Sequence, residues 1–284
     1  MPELPEVETV ARGLRHHLAG DVIESCLVLR QESIAHPSKS AFVRLLKGYE
    51  ILDVGRRGKY VLIALTDDAT LVVHLRMSGR LLIKDTVGEV DKFTRVVIQL
   101  RSGRQLHFED MRVFGRLWFV KPGESLHAIV AGIASLGVEP LSDLTDDYLV
   151  AAFKNKKQPV KSALLDQHII AGVGNIYADE SLHLAGINPC RPAGSLTRPE
   201  LNELTATISS VLQTAIERGG SSLKDYQNAM GENGSYQQEA WVYARAKQPC
   251  RSCATPIERV KLSGRSTHFC PNCQPRSRRC QTRT

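Results

Sequence analysis

The chain predicts a two-domain α+β protein whose first domain is an antiparallel β-sandwich. Between residues 22 and 120, short apolar runs alternate with Gly-bearing, charged turns, as in strands stacked in two layers. Beyond residues 121–145 the apolar spacing becomes that of helices. Near the C-terminus, four of the seven cysteines fall into two C-x-x-C pairs. At 284 residues the chain is long enough for two cores.

The totals narrow the class further. Apolar and charged fractions of 42% and 24% are those of a soluble globular protein. The net charge of +7 is unevenly placed: from Trp241 to Thr284 there are ten Lys/Arg and a single acid, Glu258. A basic end on a nearly balanced body points to a polyanionic partner. No stretch is apolar enough to span a bilayer, Tyr60–Leu65 being too short, and the start has no secretory leader core. An intracellular protein is expected. In a reducing compartment the cysteine pairs then favour a metal over disulfides.

The chain opens Pro2-Glu3-Leu4-Pro5-Glu6. Once Met1 is removed, Pro2 is a free secondary amine, partly unprotonated near neutral pH. Attack of such an amine on a sugar C1′ gives an iminium, an electron sink of the kind Schiff bases provide. Glu3 lies beside it and Glu6 one helical turn on, a plausible acid-assisted pair. Pro and Glu are also ordinary helix-start signals, and these residues alone favour that simpler reading, which the rest of the chain reverses. Val7, Val10, Ala11, Leu14 and Leu18 continue as an amphipathic helix that stops at Gly20.

Strands are expected at Ile51–Val54, Tyr60–Leu65, Leu71–Leu75, Arg95–Leu100 and Leu117–Val120. Lys59 begins one of them, where a solvated strand end is the simpler reading. Two turns carry unusual residues: His74 to Gly79 includes Met77, and Asp110 to Gly115 includes Arg112 and Phe114. An exposed Met or Phe normally tucks back into a core. Together with Arg112 they can instead act as wedges entering a base stack.

Gly137, Pro140, Ser142 and Asp143 mark the connection to the helical region. A basic run ending in Lys161 reads most simply as a solvated face. Gly172-Val173-Gly174-Asn175 leads into a helix whose start suits a phosphate, with Asn175 able to cap it or donate to an anion. Thr197-Arg198-Pro199-Glu200 opens a long helix. Leu201, Leu204, Ile208, Val211, Leu212, Ala215 and Ile216 form its buried stripe, which ends at Gly219-Gly220. Residues 221–239 read as a mobile loop. Cys250 and Cys253, then Cys270 and Cys273, flank sixteen residues that suit a hairpin. Four thiolates give a closed tetrahedral zinc site, one structural Zn2+. His268 is left without a place in that site. Arg265 sits at the hairpin tip, suited to a phosphate or groove.

With these motifs the sequence resembles the formamidopyrimidine-DNA glycosylase family over nearly its whole length. The resemblance implies an N-terminal sandwich with flanking helices (1–135), a helix-two-turns-helix DNA-binding domain (136–239), a zinc-finger hairpin (240–275) and a basic disordered tail (276–284). It implies a bifunctional glycosylase/lyase that excises 8-oxoguanine and formamidopyrimidines from double-stranded DNA in base excision repair and also acts at abasic sites. A monomer in a bacterial-type cytoplasm, associated with the nucleoid, is expected. Pro2 would be the Schiff-base nucleophile, Glu3 the proton donor and Glu6 their support. Lys59 and Arg265 would contact phosphates or supply protons for β- and δ-elimination. Met77, Arg112 and Phe114 would fill the gap left by the everted nucleotide. His74, Lys161 and Asn175 would touch the DNA, and backbone amides near Ser235-Tyr236 the damaged base.

Met111 and Val113 depart from the family, many members of which carry Pro and Arg there, and the tail after Cys273 is longer than the family minimum. Two other readings compete: the sister activity on oxidised pyrimidines, against which Leu4 and the wedge residues argue, and a catalytically silent zinc-dependent DNA-binding protein.

Overall fold

The computed structural model describes residues 1–85, 90–222 and 226–275, and the basic tail expected at 276–284 lies outside them. The chain divides into two compact units, residues 1–135 with 216–237, and residues 136–215 with those from 238 on. Residues 216–237, expected in the helical domain, therefore pack with the sandwich. The zinc-finger hairpin, expected as a domain of its own, falls within the second unit.

The first unit begins with α1 (Leu4–Leu18), in which Val7, Val10, Ala11, Leu14 and Leu18 are all buried, as their spacing predicts. Removing the Leu14 side chain alone would cost about 2–5 kcal/mol. There follow β1 (Ile23–Val28), β2 (Ile34–His36), α2 (Lys39–Leu45), β3 (Ile51–Arg57), β4 (Tyr60–Leu65), β5 (Thr70–His74), β6 (Gly79–Lys84), β7 (Thr94–Leu100), β8 (Gln105–Asp110) and β9 (Arg116–Val120). Two short helices, α3 (Leu126–Ile129) and α4 (Ala131–Ala134), close the unit.

One sheet runs β1-β7-β8-β6 and the other β2-β9-β5-β4-β3. Every pairing is antiparallel except β2 with β9, which is parallel and departs from the all-antiparallel expectation. Leu71, Val73 and Leu117 of the second sheet meet Leu81, Val96, Ile98, Leu106 and Phe108 of the first, so the core lies between the layers. This face-to-face burial fixes where the interstrand turns emerge.

The second unit is built from α5 (Asp146–Phe153), α6 (Val160–Leu164), α7 (Asn175–Leu184) and most of α8 (Arg198–Glu217), then a hairpin of β10 (Glu258–Leu262) and β11 (Arg265–Phe269). Thr197 caps α8: its backbone N–H and hydroxyl both donate to Glu200, at 2.8 and 3.0 Å. Arg191 beside Glu200 holds that carboxyl down at about 2. Among the described residues no helix is long and apolar enough to cross a membrane.

Candidate functional site

The first residues are scaffolded rather than frayed. Pro2 is buried and Glu3 is only 3% exposed. Glu6 holds them: one carboxylate oxygen accepts from the Glu3 amide at 2.8 Å, the other from the Ser221 amide at 2.8 Å. The Tyr226 hydroxyl donates to the Glu6 carbonyl at 3.4 Å, and burial next to the Glu6 carboxylate raises its pKa. With Met1 attached, the Pro2 nitrogen is an amide without a usable lone pair, and its removal frees the amine.

Lys59 is not a solvated strand end. It lies with Gly58 in the two-residue turn joining β3 to β4, where Arg57 pairs Tyr60, and it is buried. Gly58 takes φ +55°, the left-handed conformation such a turn demands. His74, at the end of β5, is 7% exposed, lies edge-on to Tyr60 and accepts from the Arg76 amide at 3.0 Å through Nδ1. Its proton therefore resides on Nε2. Burial, assisted by the Arg76 and Lys59 charges, pushes its pKa down to about 3, so the ring is a neutral donor.

The two unusual turns are exposed. Met77 is 42% and Phe114 48% exposed, and the Arg112 guanidinium stacks over the Phe114 ring at 4.7 Å. Val113, between them, has φ +57°. The buried Asp110 lies under both turns, and nothing in the sequence marks it out from any other strand-end acid.

The segment expected as a mobile loop is closed at its base. Ser235 and Tyr236 donate their backbone N–H groups to the carbonyls of Arg218 and Gly220, at 2.9 and 3.1 Å. Those amides are thus bonded within the chain, and the Tyr236 ring is buried at 3%. Gly234 allows the closure, since a Cβ there would lie 2.2 Å from the Gly220 carbonyl oxygen. Residues 223–225 lie outside the described set.

In the second unit, Gly174 takes the cap position and Asn175 opens α7. Asn175 donates through Nδ2 to the Ser266 carbonyl at 3.0 Å, and its Oδ1 is buried without a hydrogen-bond partner among the described residues. Lys161 is neither a solvated cation nor a surface contact. It is 1% exposed, 2.7 Å from Asp179, and donates to the Ser266 carbonyl and the Thr267 hydroxyl, each at 2.9 Å. The ion pair with Asp179 and the bonds to the β11 strand hold the ammonium inside the second unit rather than on a solvated face. Asp179 also receives the backbone N–H of His268 at 2.9 Å, so His268 faces helix α7. Glu180 accepts from the amides of Trp241, Val242 and Tyr243. Sequence reasoning singled out neither acid, since nothing in the helix pattern marks its partners.

Ser263 and Gly264, with φ of 48° and 78°, form the two-residue turn of β10–β11, and the exposed Arg265 follows directly. Cys250, Cys253, Cys270 and Cys273 bring their sulfurs within 4.8 Å of one another, with neighbouring pairs at 3.4 to 3.9 Å. A tetrahedron with bonds of about 2.3 Å has edges of about 3.8 Å, so the set fits one structural zinc.

Comparison with known families agrees with each of these regions. Residues 1–117 match the formamidopyrimidine-DNA glycosylase N-terminal domain, 136–227 the H2TH domain of the same enzymes, and 247–276 the zinc finger found in FPG and IleRS. The chain belongs to the formamidopyrimidine-DNA glycosylase family. A family protein of Gloeobacter violaceus is 49% identical over 277 residues, covering 96% of this chain and 98% of its own. A Lactococcus lactis FPG variant in complex with a Fapy-dG containing DNA aligns with a TM-score of 0.90 at 32% identity, covering 97% of this chain and 100% of its own. Wild-type Lactococcus lactis FPG with an oxidized pyrimidine containing DNA gives a TM-score of 0.88 at 31% identity, with the same coverage. As a member of this family of DNA-repair glycosylases, the chain carries all three of its parts: sandwich, helical region and zinc finger.

Proposed function

We propose that the chain is a DNA glycosylase with abasic-site lyase activity that removes 8-oxoguanine and formamidopyrimidines from double-stranded DNA. The observation that best supports this is the buried start, where a single carboxylate, Glu6, fixes the Glu3 amide. A chain end is ordinarily frayed, and holding one in a core suits a nucleophile that must reach a defined atom.

The Pro2 lone pair forms a bond to C1′ as the glycosidic bond breaks, and that electron pair leaves with the base, which takes up a proton. The nitrogen then loses its proton. Glu3 delivers one to the ring oxygen as the sugar opens, leaving an iminium. Loss of a C2′ proton expels the 3′ phosphate, and a second elimination expels the 5′ phosphate. Lys59 and Arg265 are the groups for those two proton transfers or for gripping the phosphates, with Asn175 and the Nε2–H of His74 as further donors. Met77, Arg112 and Phe114 would occupy the space the extruded nucleotide leaves.

Borohydride reduction of the protein on an 8-oxoguanine·cytosine duplex should trap a covalent complex, with peptide mapping placing the bond on Pro2. Glu3→Gln should lower excision at least ~100-fold. Active protein that retains Met1, or a crosslink on another residue, would refute the mechanism. A second reading, action on oxidised pyrimidines, is favoured by the relative solved with such DNA. Preference for a thymine-glycol duplex over the oxoguanine one would select it.

A further inference from the structure

Asp110 is completely buried, and its carboxylate is the acceptor on which both exposed turns converge. Oδ1 accepts from the Ser78 hydroxyl at 2.5 Å and from the Arg112 amide at 3.2 Å; Oδ2 accepts from the Gly115 amide at 2.7 Å. The Arg112 amide also reaches the Ser78 hydroxyl oxygen at 3.2 Å. Ser78 directly follows Met77, while Arg112 and Gly115 enclose the turn that carries Phe114. The remaining backbone is fixed as well: Arg95 donates to the Asp110 carbonyl at 2.7 Å, and Asp110 pairs with Gly79 across β8 and β6. Gly115 has no room for a side chain, since a Cβ would lie 2.4 Å from the Phe108 ring and 3.2 Å from Asp110 Oδ2.

We infer that Asp110 is a positioning residue for lesion extrusion: with Ser78 it locks the Met77 turn to the Arg112/Phe114 turn, so that the three side chains meet the duplex as one pre-set wedge. The inference rests on the proposed role of those three residues in DNA. A wedge that must open a base stack gains from being ordered beforehand, because ordering on contact would be subtracted from binding. Two turns that moved independently would present Met77 and Phe114 in many relative placements. A carboxylate suits the post because it is acceptor-only, and every group facing it here is a donor. Asparagine has nearly the same shape but fails in either orientation, since its NH2 must face the Gly115 N–H or the Ser78 and Arg112 donors.

The test compares full-length Asp110→Asn, Phe114→Ala and the double variant with the parent protein. Each is assayed on an 8-oxoguanine·cytosine duplex, which requires extrusion, and on a single-stranded oligonucleotide bearing an abasic site, which does not. Asp110→Asn should lower kcat/KM on the duplex tenfold or more, cut the single strand at the parental rate, and add less than twofold to the loss already caused by Phe114→Ala. An equal loss in both backgrounds, a matching loss on the single strand, or no loss at all would overturn the inference. Should Asp110→Asn fail to fold, Ser78→Ala, which keeps the Gly115 bond, carries the same comparison with an expected two- to fivefold loss. If Phe114→Ala itself excises like the parent, the wedge reading has failed, which is a different outcome from a Phe114-dependent protein indifferent to Asp110.

Discussion

His74 shows what burial does to a titratable group on a turn. Its pKa of about 3 means the unfolded chain takes up a proton near pH 6.5 that the folded chain refuses until much lower pH. Stability is therefore lost as pH falls from about 6.5 toward 3, by about 2 kcal/mol between pH 7.5 and pH 5. Urea midpoints at the two pH values should differ accordingly, and His74→Gln should remove that part of the difference. Residues of this kind divide by how much of their role a sequence reveals. Pro2 and Glu3 read by themselves as an ordinary helix start, whereas the four cysteines are legible because their chemistry follows from residue type and spacing alone. Lys161 and Asp110 are not, since a charge in a sequence reads as solvated until its partners are seen, and those partners are remote, Thr267 for the one and Ser78 for the other.

Among the elements, the strands that stand out in the sequence are those with apolar residues on both faces, such as β4 and β5. β8 is hidden because its outer face carries His107 and Glu109, buried at 1% and 3%. Glu109 is bonded to Arg80 and Lys84, so a polar face is buried without an apolar signal. The β10–β11 hairpin meets helices α6 and α7 through the same kind of interaction. Asp179→Ala would strand the Lys161 charge in the interior, an expected loss of about 3–5 kcal/mol by chemical denaturation. The double variant Lys161→Met/Asp179→Leu should recover most of it, because an apolar pair of similar volume leaves no uncompensated charge. Failure of the double variant to recover would mean the hydrogen bonds to Ser266 and Thr267 matter more than the ion pair.

For the whole molecule, the two tryptophans offer separate reporters. Trp118 lies on β9 of the sandwich, and Trp241 packs on the cysteine cluster. A zinc chelator should shift Trp241 emission in Trp118→Phe and leave Trp118 emission unchanged in Trp241→Phe, since a structural zinc holds its own hairpin. A shift of both signals would mean that the metal supports the sandwich too. The division into an N-terminal sandwich and a later helical region was readable from the change in apolar period near residue 121. That residues 216–237 return to the first unit was not. Their anchor is Glu6 accepting from Ser221, two residues far apart in the chain whose pairing leaves no periodic trace.

The zinc hairpin's register is pinned twice, by thiolates at its base and by a two-residue bend at its far end. Leu262 pairs with Arg265 across that bend, so one residue inserted between Arg265 and Ser266 would leave the metal bound yet move Arg265 from the strand into a three-residue turn and change where its guanidinium points. Metal loading and arginine aim could then be varied separately, a handle for asking whether the phosphate grip proposed for Arg265 is a matter of direction rather than charge.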